Sequence, residues 1–197
     1  MQANTKQNTR KLAVMAMLVA ISVVLVYVIH FPIFPAATFL EYDPADIPIL
    51  IGTFAYGPVA GLLLTVVAAV IQGVTVSAGS GAYGIIMHII STSTLVLVAG
   101  IIYRVKHTKS GAVLGLVLGT LAWGGVMMIA NHFITPLFMG VPTEMVDAML
   151  LPVILPFNLI KAGVNSAITF VVYKTVSRHL VHGEGWHHEK GQKAVEQ

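Results

Sequence analysis

Apolar residues run almost unbroken through six stretches of the chain, and polar residues gather between them. The stretches are 12–29, 47–56, 59–77, 83–103, 113–138 and 149–173. About 20 apolar residues are needed to cross the hydrocarbon core as a helix. Five stretches have roughly that length. The stretch 47–56 is short for a straight crossing and reads as a short tilted helix or a piece buried by its neighbours. The first stretch is too long for a cleavable signal, and no small-residue site leads into a polar mature chain. The pattern therefore predicts an all-α integral membrane protein with six transmembrane helices over residues 1–174 and a polar tail over 175–197.

The connections carry turn chemistry. Gly57-Pro58 is a tight turn between the second and third stretches. Ser77-Ala78-Gly79-Ser80-Gly81 joins the third to the fourth. The fifth is expected to end around Thr135-Pro136, and Pro152 and Pro156 fall in the first turns of the sixth.

Composition supports the membrane reading. Hydrophobic residues make up 56% of the chain and charged residues 10%, where a soluble domain has about 25% charged. With no cysteine, a disulfide scaffold, a thiolate zinc site and a cysteine nucleophile are excluded. The net charge of +3 would fit a nucleic-acid partner, but the positions of the charges point to topology. Lys6, Arg10 and Lys11 precede the first stretch; Arg104, Lys106 and Lys109 lie between the fourth and fifth; Lys174, Arg178, Lys190 and Lys193 follow the sixth. The loops 30–46, 78–82 and 138–147 contain no Lys or Arg. Six crossings with the N and C termini both cytoplasmic put every basic residue but Lys161 on one side. No nucleic-acid partner is expected.

Lys161 is basic and lies inside a span, so it needs a partner or water. Helical spacing puts Asn158, Lys161 and Asn165 on one face, which has to point inward. The ammonium reads as ligand-facing or ion-paired, with snorkelling to the outer surface as the alternative. Asn131, in the fifth stretch, offers a donor and an acceptor to a ligand amide, with a helix–helix hydrogen bond as the alternative. His132, its neighbour, points elsewhere. His88 reads as a packed, satisfied histidine, and Gln72 as an outer-end residue that meets water. The loop after the first span is long and rich in proline and aromatics. It reads as a lid over an outward-facing pocket, with Phe39, Leu40, Glu41 and Tyr42 expected to contact the ligand. Asp46 reads as the N-cap of the next helix and Asp43 as a solvated acid, with pairing of Glu41 or Asp43 to Lys161 as the alternative. Ala16 and Ala20 make a small-xxx-small pattern that lets another helix approach closely.

Enzymatic readings lack their residues. No phosphate-binding loop of the Gly-x-x-x-x-Gly-Lys-Ser/Thr type occurs. Ser80 sits in Ala-Gly-Ser-Gly, where an intramembrane serine protease carries Gly-x-Ser-Gly. No cofactor is expected. His187-His188 in the tail is too sparse for a metal site, and inverted repeats of a secondary transporter are not evident.

Asp43-Pro44-Ala45-Asp46-Ile47-Pro48, Tyr56-Gly57-Pro58-Val59-Ala60-Gly61, Asn131 and Pro156-Phe157-Asn158-Leu159-Ile160-Lys161 together resemble the substrate-binding S component of energy-coupling factor (ECF) vitamin transporters. The resemblance covers all six stretches, and its closest pattern is riboflavin-type. It implies a six-helix fold in the cell membrane and a vitamin held near the outer face under the first loop. Lys161 and Asn131 would be pocket residues. Its further implications are a transmembrane T component, docked at Ala16 and Ala20, and two cytoplasmic ATPase subunits. Riboflavin-type members carry Glu and Lys in the third span; here 63–72 has no charge. Pantothenate, pyridoxine or hydroxymethyl-pyrimidine therefore stay open as alternatives to riboflavin, as does a stand-alone facilitator.

Overall fold

A computed structural model describes residues 2–35 and 37–176. The polar tail from 177 on, with Arg178, His187, His188, Lys190 and Lys193, lies outside the described residues.

Each predicted stretch contains a helix: α1 (Gln2–Val28), α2 (Asp46–Tyr56), α3 (Pro58–Val74), α4 (Gly81–Val105), α5 (Lys109–Met139), and a final segment of α6 (Thr143–Met149) and α7 (Leu155–Val176). Four helical segments are long and apolar enough to cross a membrane: Gln7–Val28, Ala78–Val105, Lys109–Met139 and Thr143–Tyr173. The helices α2 and α3 are shorter. In α2 every residue from Asp46 to Phe54 is buried, so this short helix is enclosed by its neighbours, as an apolar run without the length of a straight crossing requires.

Gly57 joins α2 to α3 at φ +91°, a backbone region that only glycine enters cheaply. Pro58 starts α3 at once, where its missing N–H costs nothing. The helices α4 and α5 form an antiparallel hairpin, and Thr108 Oγ1 accepts from Gly111 N at the start of α5. Gly115 and Gly119 let the two backbones approach: a Cβ at Gly115 would stand 2.9 Å from the Ala99 carbonyl oxygen. Such contacts are the usual packing device between helices in lipid.

Two expectations about helix ends are corrected. The helix α5 runs through Pro136 to Met139 and stops at Gly140, which is left-handed (φ +65°). Pro136 sits within the last turn, where losing one ladder bond is tolerated. The last segment begins at Thr143 rather than near Met149 and contains a π-helical turn, Leu150–Ile154. Pro152 and Pro156 have no N–H for the i→i−4 ladder, and the backbone widens over Leu150–Ile154, around the first of them. The all-α expectation also gains an exception. The loop after α1 holds a two-residue antiparallel ladder, β1 (Phe31–Pro32) with β2 (Glu41–Tyr42), pairing Phe31 with Tyr42.

The core divides in two. Leu18, Leu50, Leu64, Leu95 and Trp123 belong to one cluster between the helices. Ala37, Leu40, Val146, Ile154 and Phe157 form a second, which packs the loop after α1 against α6 and α7. The loop is thus a folded roof with its own apolar underside.

Candidate ligand-binding site

Under this roof lies a cavity of about 170 Å³. The loop contributes Phe39, Leu40, Glu41 and Asp43 to its lining; Gln72 comes from α3 and His88 from α4; Trp123, Met127 and Asn131 come from α5, and Asn158 and Lys161 from α7. The site is therefore assembled from five parts of the chain.

The roof is tied down by a polar network centred on two acids and two residues of α7. Lys161 Nζ donates to Asp43 Oδ2 at 2.6 Å and more weakly to the Glu41 carbonyl at 3.4 Å. One turn on, Asn165 Nδ2 donates to the Asp43 carbonyl at 3.0 Å and to Asp46 Oδ2 at 2.8 Å. Asn165 Oδ1 accepts from the Tyr42 hydroxyl at 2.9 Å. The other oxygen of Asp46 accepts from Thr92 Oγ1 of α4 at 2.6 Å. Ser22 of α1 donates to the Ala45 carbonyl at 2.8 Å. Three helices thus hold a segment that a sequence reading leaves as loop. The carboxyl of Asp43 is subject to opposed effects. Burial would push it up; the Lys161 ammonium, with its hydrogen bond and that of the Ala45 N–H, outweighs burial and holds it below the usual carboxylate range.

These bonds correct the readings of the two acids. Asp46 is no N-cap: Ala45 occupies that position in right-handed helical geometry, without a side-chain capping bond. Both Asp46 oxygens are taken by Thr92 and Asn165, partners far away in sequence. Asp43 is no solvated acid. It is buried, pairs with Lys161 and also accepts from the Ala45 N–H at 3.1 Å. Glu41 engages Lys161 through its carbonyl.

The amides on the α5 and α7 wall are held in place. Asn131 donates to the Met127 carbonyl at 2.7 Å and accepts from Thr135 at 2.8 Å. Asn158 donates to the Ile154 carbonyl at 2.8 Å and accepts from Trp123 Nε1 at 2.7 Å. Each amide keeps one N–H and one lone pair for a ligand.

Phe39, Leu40, Glu41, Asn131, Asn158 and Lys161 all line the cavity. Tyr42 and Asn165 stand behind it and bond to each other. His132 faces away and pairs with Asp147 of α6 at 2.6 Å. Ala16 and Ala20 lie on an exposed face of α1. Two lining residues were given bland readings from the sequence. Gln72 is buried and its Oε1 has no hydrogen-bond partner in the protein; His88 Nε2 has none either. The available signal was that each is a lone polar residue in an apolar helix, which in a membrane asks for a partner.

A sequence profile for the family described as "ECF transporter, substrate-specific component" matches residues 10–173. The Riboflavin transporter RibU of Staphylococcus aureus (strain TCH60) is 30% identical over 183 residues, 90% of this chain and 95% of that protein. The Riboflavin transporter FmnP of Bacillus subtilis (strain 168) is 28% identical over 84% of this chain and 91% of its own length. A solved structure described as the S component of a bacterial ECF transporter superposes with a TM-score of 0.77 at 28% identity, covering 86% of this chain and 96% of that one. The roofed cavity among membrane helices and these likenesses agree: the chain belongs to the substrate-specific components of ECF transporters.

Proposed function

We propose that this chain is the riboflavin-binding subunit of an ATP-driven vitamin importer in the cell membrane. The observation that carries the ligand is the charge of the cavity. Its ammonium, Lys161, is already paired with Asp43 at 2.6 Å, and a further acid, Glu41, belongs to the lining. A carboxylate ligand such as pantothenate meets repulsion there. A neutral, flat molecule with many hydroxyls meets apolar surface from Phe39, Trp123 and Met127 and spare amide capacity from Asn131 and Asn158. The relatives named above are described as riboflavin transporters, which supports the same choice.

In this reading the chain crosses the membrane six times, with α2 as a short, enclosed crossing and both termini in the cytoplasm. The one-sided distribution of Lys and Arg supports that orientation. A transmembrane T component docks on α1 at Ala16 and Ala20, and two ATPase subunits supply the energy. The exposed small-residue face of α1 supports this docking. The test is titration of the purified, ligand-free protein with riboflavin, pantothenate and pyridoxine. Saturable binding of riboflavin at one per chain is expected. Preference for pantothenate or pyridoxine overturns the flavin assignment.

A further inference from the structure

The polar groups of the cavity differ in what they leave undone. On the α5 and α7 wall, Asn131, Asn158 and Lys161 each have protein partners at 2.6–2.8 Å. On the α3 and α4 wall the opposite holds. Gln72 Oε1 and His88 Nε2 are buried and lack any hydrogen-bond partner, and among the described residues they are the side-chain atoms of which this is true. Both residues line the same cavity. The two helices meet closely here, because Gly73 leaves room for Ile85: a Cβ at Gly73 would collide with that side chain. A buried polar atom without a partner is costly and is normally satisfied by water or ligand. Two of them in one cavity, on adjoining helices, mark an edge built for something that arrives.

We infer that Gln72 and His88 form the hydrogen-bonding edge that reads the ring end of the ligand. Gln72 Oε1 accepts from the imide N–H of an isoalloxazine, and His88 Nε2–H donates to an adjoining ring carbonyl. The inference rests on the flavin reading above. Neutral oxidised isoalloxazine has one N–H, flanked by two carbonyls and fixed in the ring plane. Taken out of water, that donor needs an acceptor in a fixed place, and Gln72 supplies one whose capacity nothing else uses. Ribityl hydroxyls rotate and both donate and accept. They suit the other wall, where each amide still has a proton and a lone pair to share. The ring therefore points its imide toward α3 and α4, with its sugar-like chain toward Asn131 and Asn158. This edge carries no charge on Gln72, which matches the neutral imide and accounts for a third span without Glu or Lys.

The experiment compares riboflavin with 3-methylriboflavin, in which the imide proton is replaced by methyl, on wild type, Gln72→Met and His88→Phe. Both substitutions remove a polar atom from an apolar helix, so the ligand-free variants are expected to melt no lower than wild type. Wild type is expected to bind 3-methylriboflavin about tenfold or more weakly than riboflavin, the effect of about one hydrogen bond. Gln72→Met is expected to lose about tenfold for riboflavin and to discriminate little between the two flavins. His88→Phe is expected to weaken both flavins and to keep the discrimination. If Gln72→Met weakens both flavins equally, the imide assignment is overturned. If both variants bind riboflavin as wild type does, neither residue contacts the ligand and the edge holds water only. A wild-type protein that binds no flavin overturns the functional reading itself, and this inference with it.

Discussion

The ammonium of Lys161 stands 2.6 Å from the carboxylate of Asp43, across 118 positions of sequence. This pair joins the last helix to the loop that roofs the cavity, so the main charged group of the pocket is also a structural tie. Removing one partner leaves a buried, uncompensated charge, which costs about 3–5 kcal/mol.

Lys161→Met is therefore expected to destabilise the ligand-free protein, and adding Asp43→Asn is expected to recover most of that loss. Riboflavin affinity of the double variant should stay about tenfold or more below wild type, because the ammonium's remaining capacity is gone. Thermal unfolding and titration on the same preparations check both statements. Full affinity in the double variant would make Lys161 a structural residue alone.

The Asp43 carboxyl titrates below the usual range, so its folded value lies under its unfolded one. Such a group contributes stability above the unfolded value, about 3.9, and loses it as pH falls through the folded value. The melting difference between wild type and the double variant Lys161→Met/Asp43→Asn, which carries neither charge, is expected to be constant from about pH 5 to 8 and to shrink below about pH 4. A difference that changes across neutral pH would contradict the pairing.

Asn165 ties Tyr42, Asp43 and Asp46 together without lining the cavity. Asn165→Leu leaves the Tyr42 hydroxyl and an Asp46 oxygen short of a partner, at about 1–3 kcal/mol for each buried group. The loop after α1 should exchange amide hydrogens faster and riboflavin should dissociate faster. Unchanged exchange over residues 37–45 would show that the apolar underside holds the roof alone.

Orientation is open to cysteine labelling, since the chain has no cysteine to remove. A cysteine at Lys106 should resist an impermeant reagent applied outside intact cells, and one at Thr38 should react. Reaction at Lys106 would invert the topology.

In the docking proposed above, Ala16→Trp fills the gap that the partner helix needs on α1. Transport in cells should be abolished while riboflavin binding by the isolated protein stays near wild type. Loss of both would mean that the substitution disturbs the bundle rather than the docking.

The sequence alone determined the helices and much of their joinery. Lipid leaves the backbone few choices, so apolar length predicts helix. Gly57-Pro58 announced its own turn because the required φ of +91° excludes other residues. Lys161 announced an inward face because an ammonium cannot lie against hydrocarbon. Asp46 was read as a cap because local chemistry is all that sequence displays; its actual partners, Thr92 and Asn165, stand 46 and 119 positions away. Asn165 followed Lys161 onto the predicted face, yet one helical turn decides whether an amide meets the cavity or the loop behind it. Gln72 and His88 looked bland for the same reason. Whether a polar atom has a partner depends on which helices surround it, and only the packing of α3 against α4 left these two on the cavity without a partner in the protein.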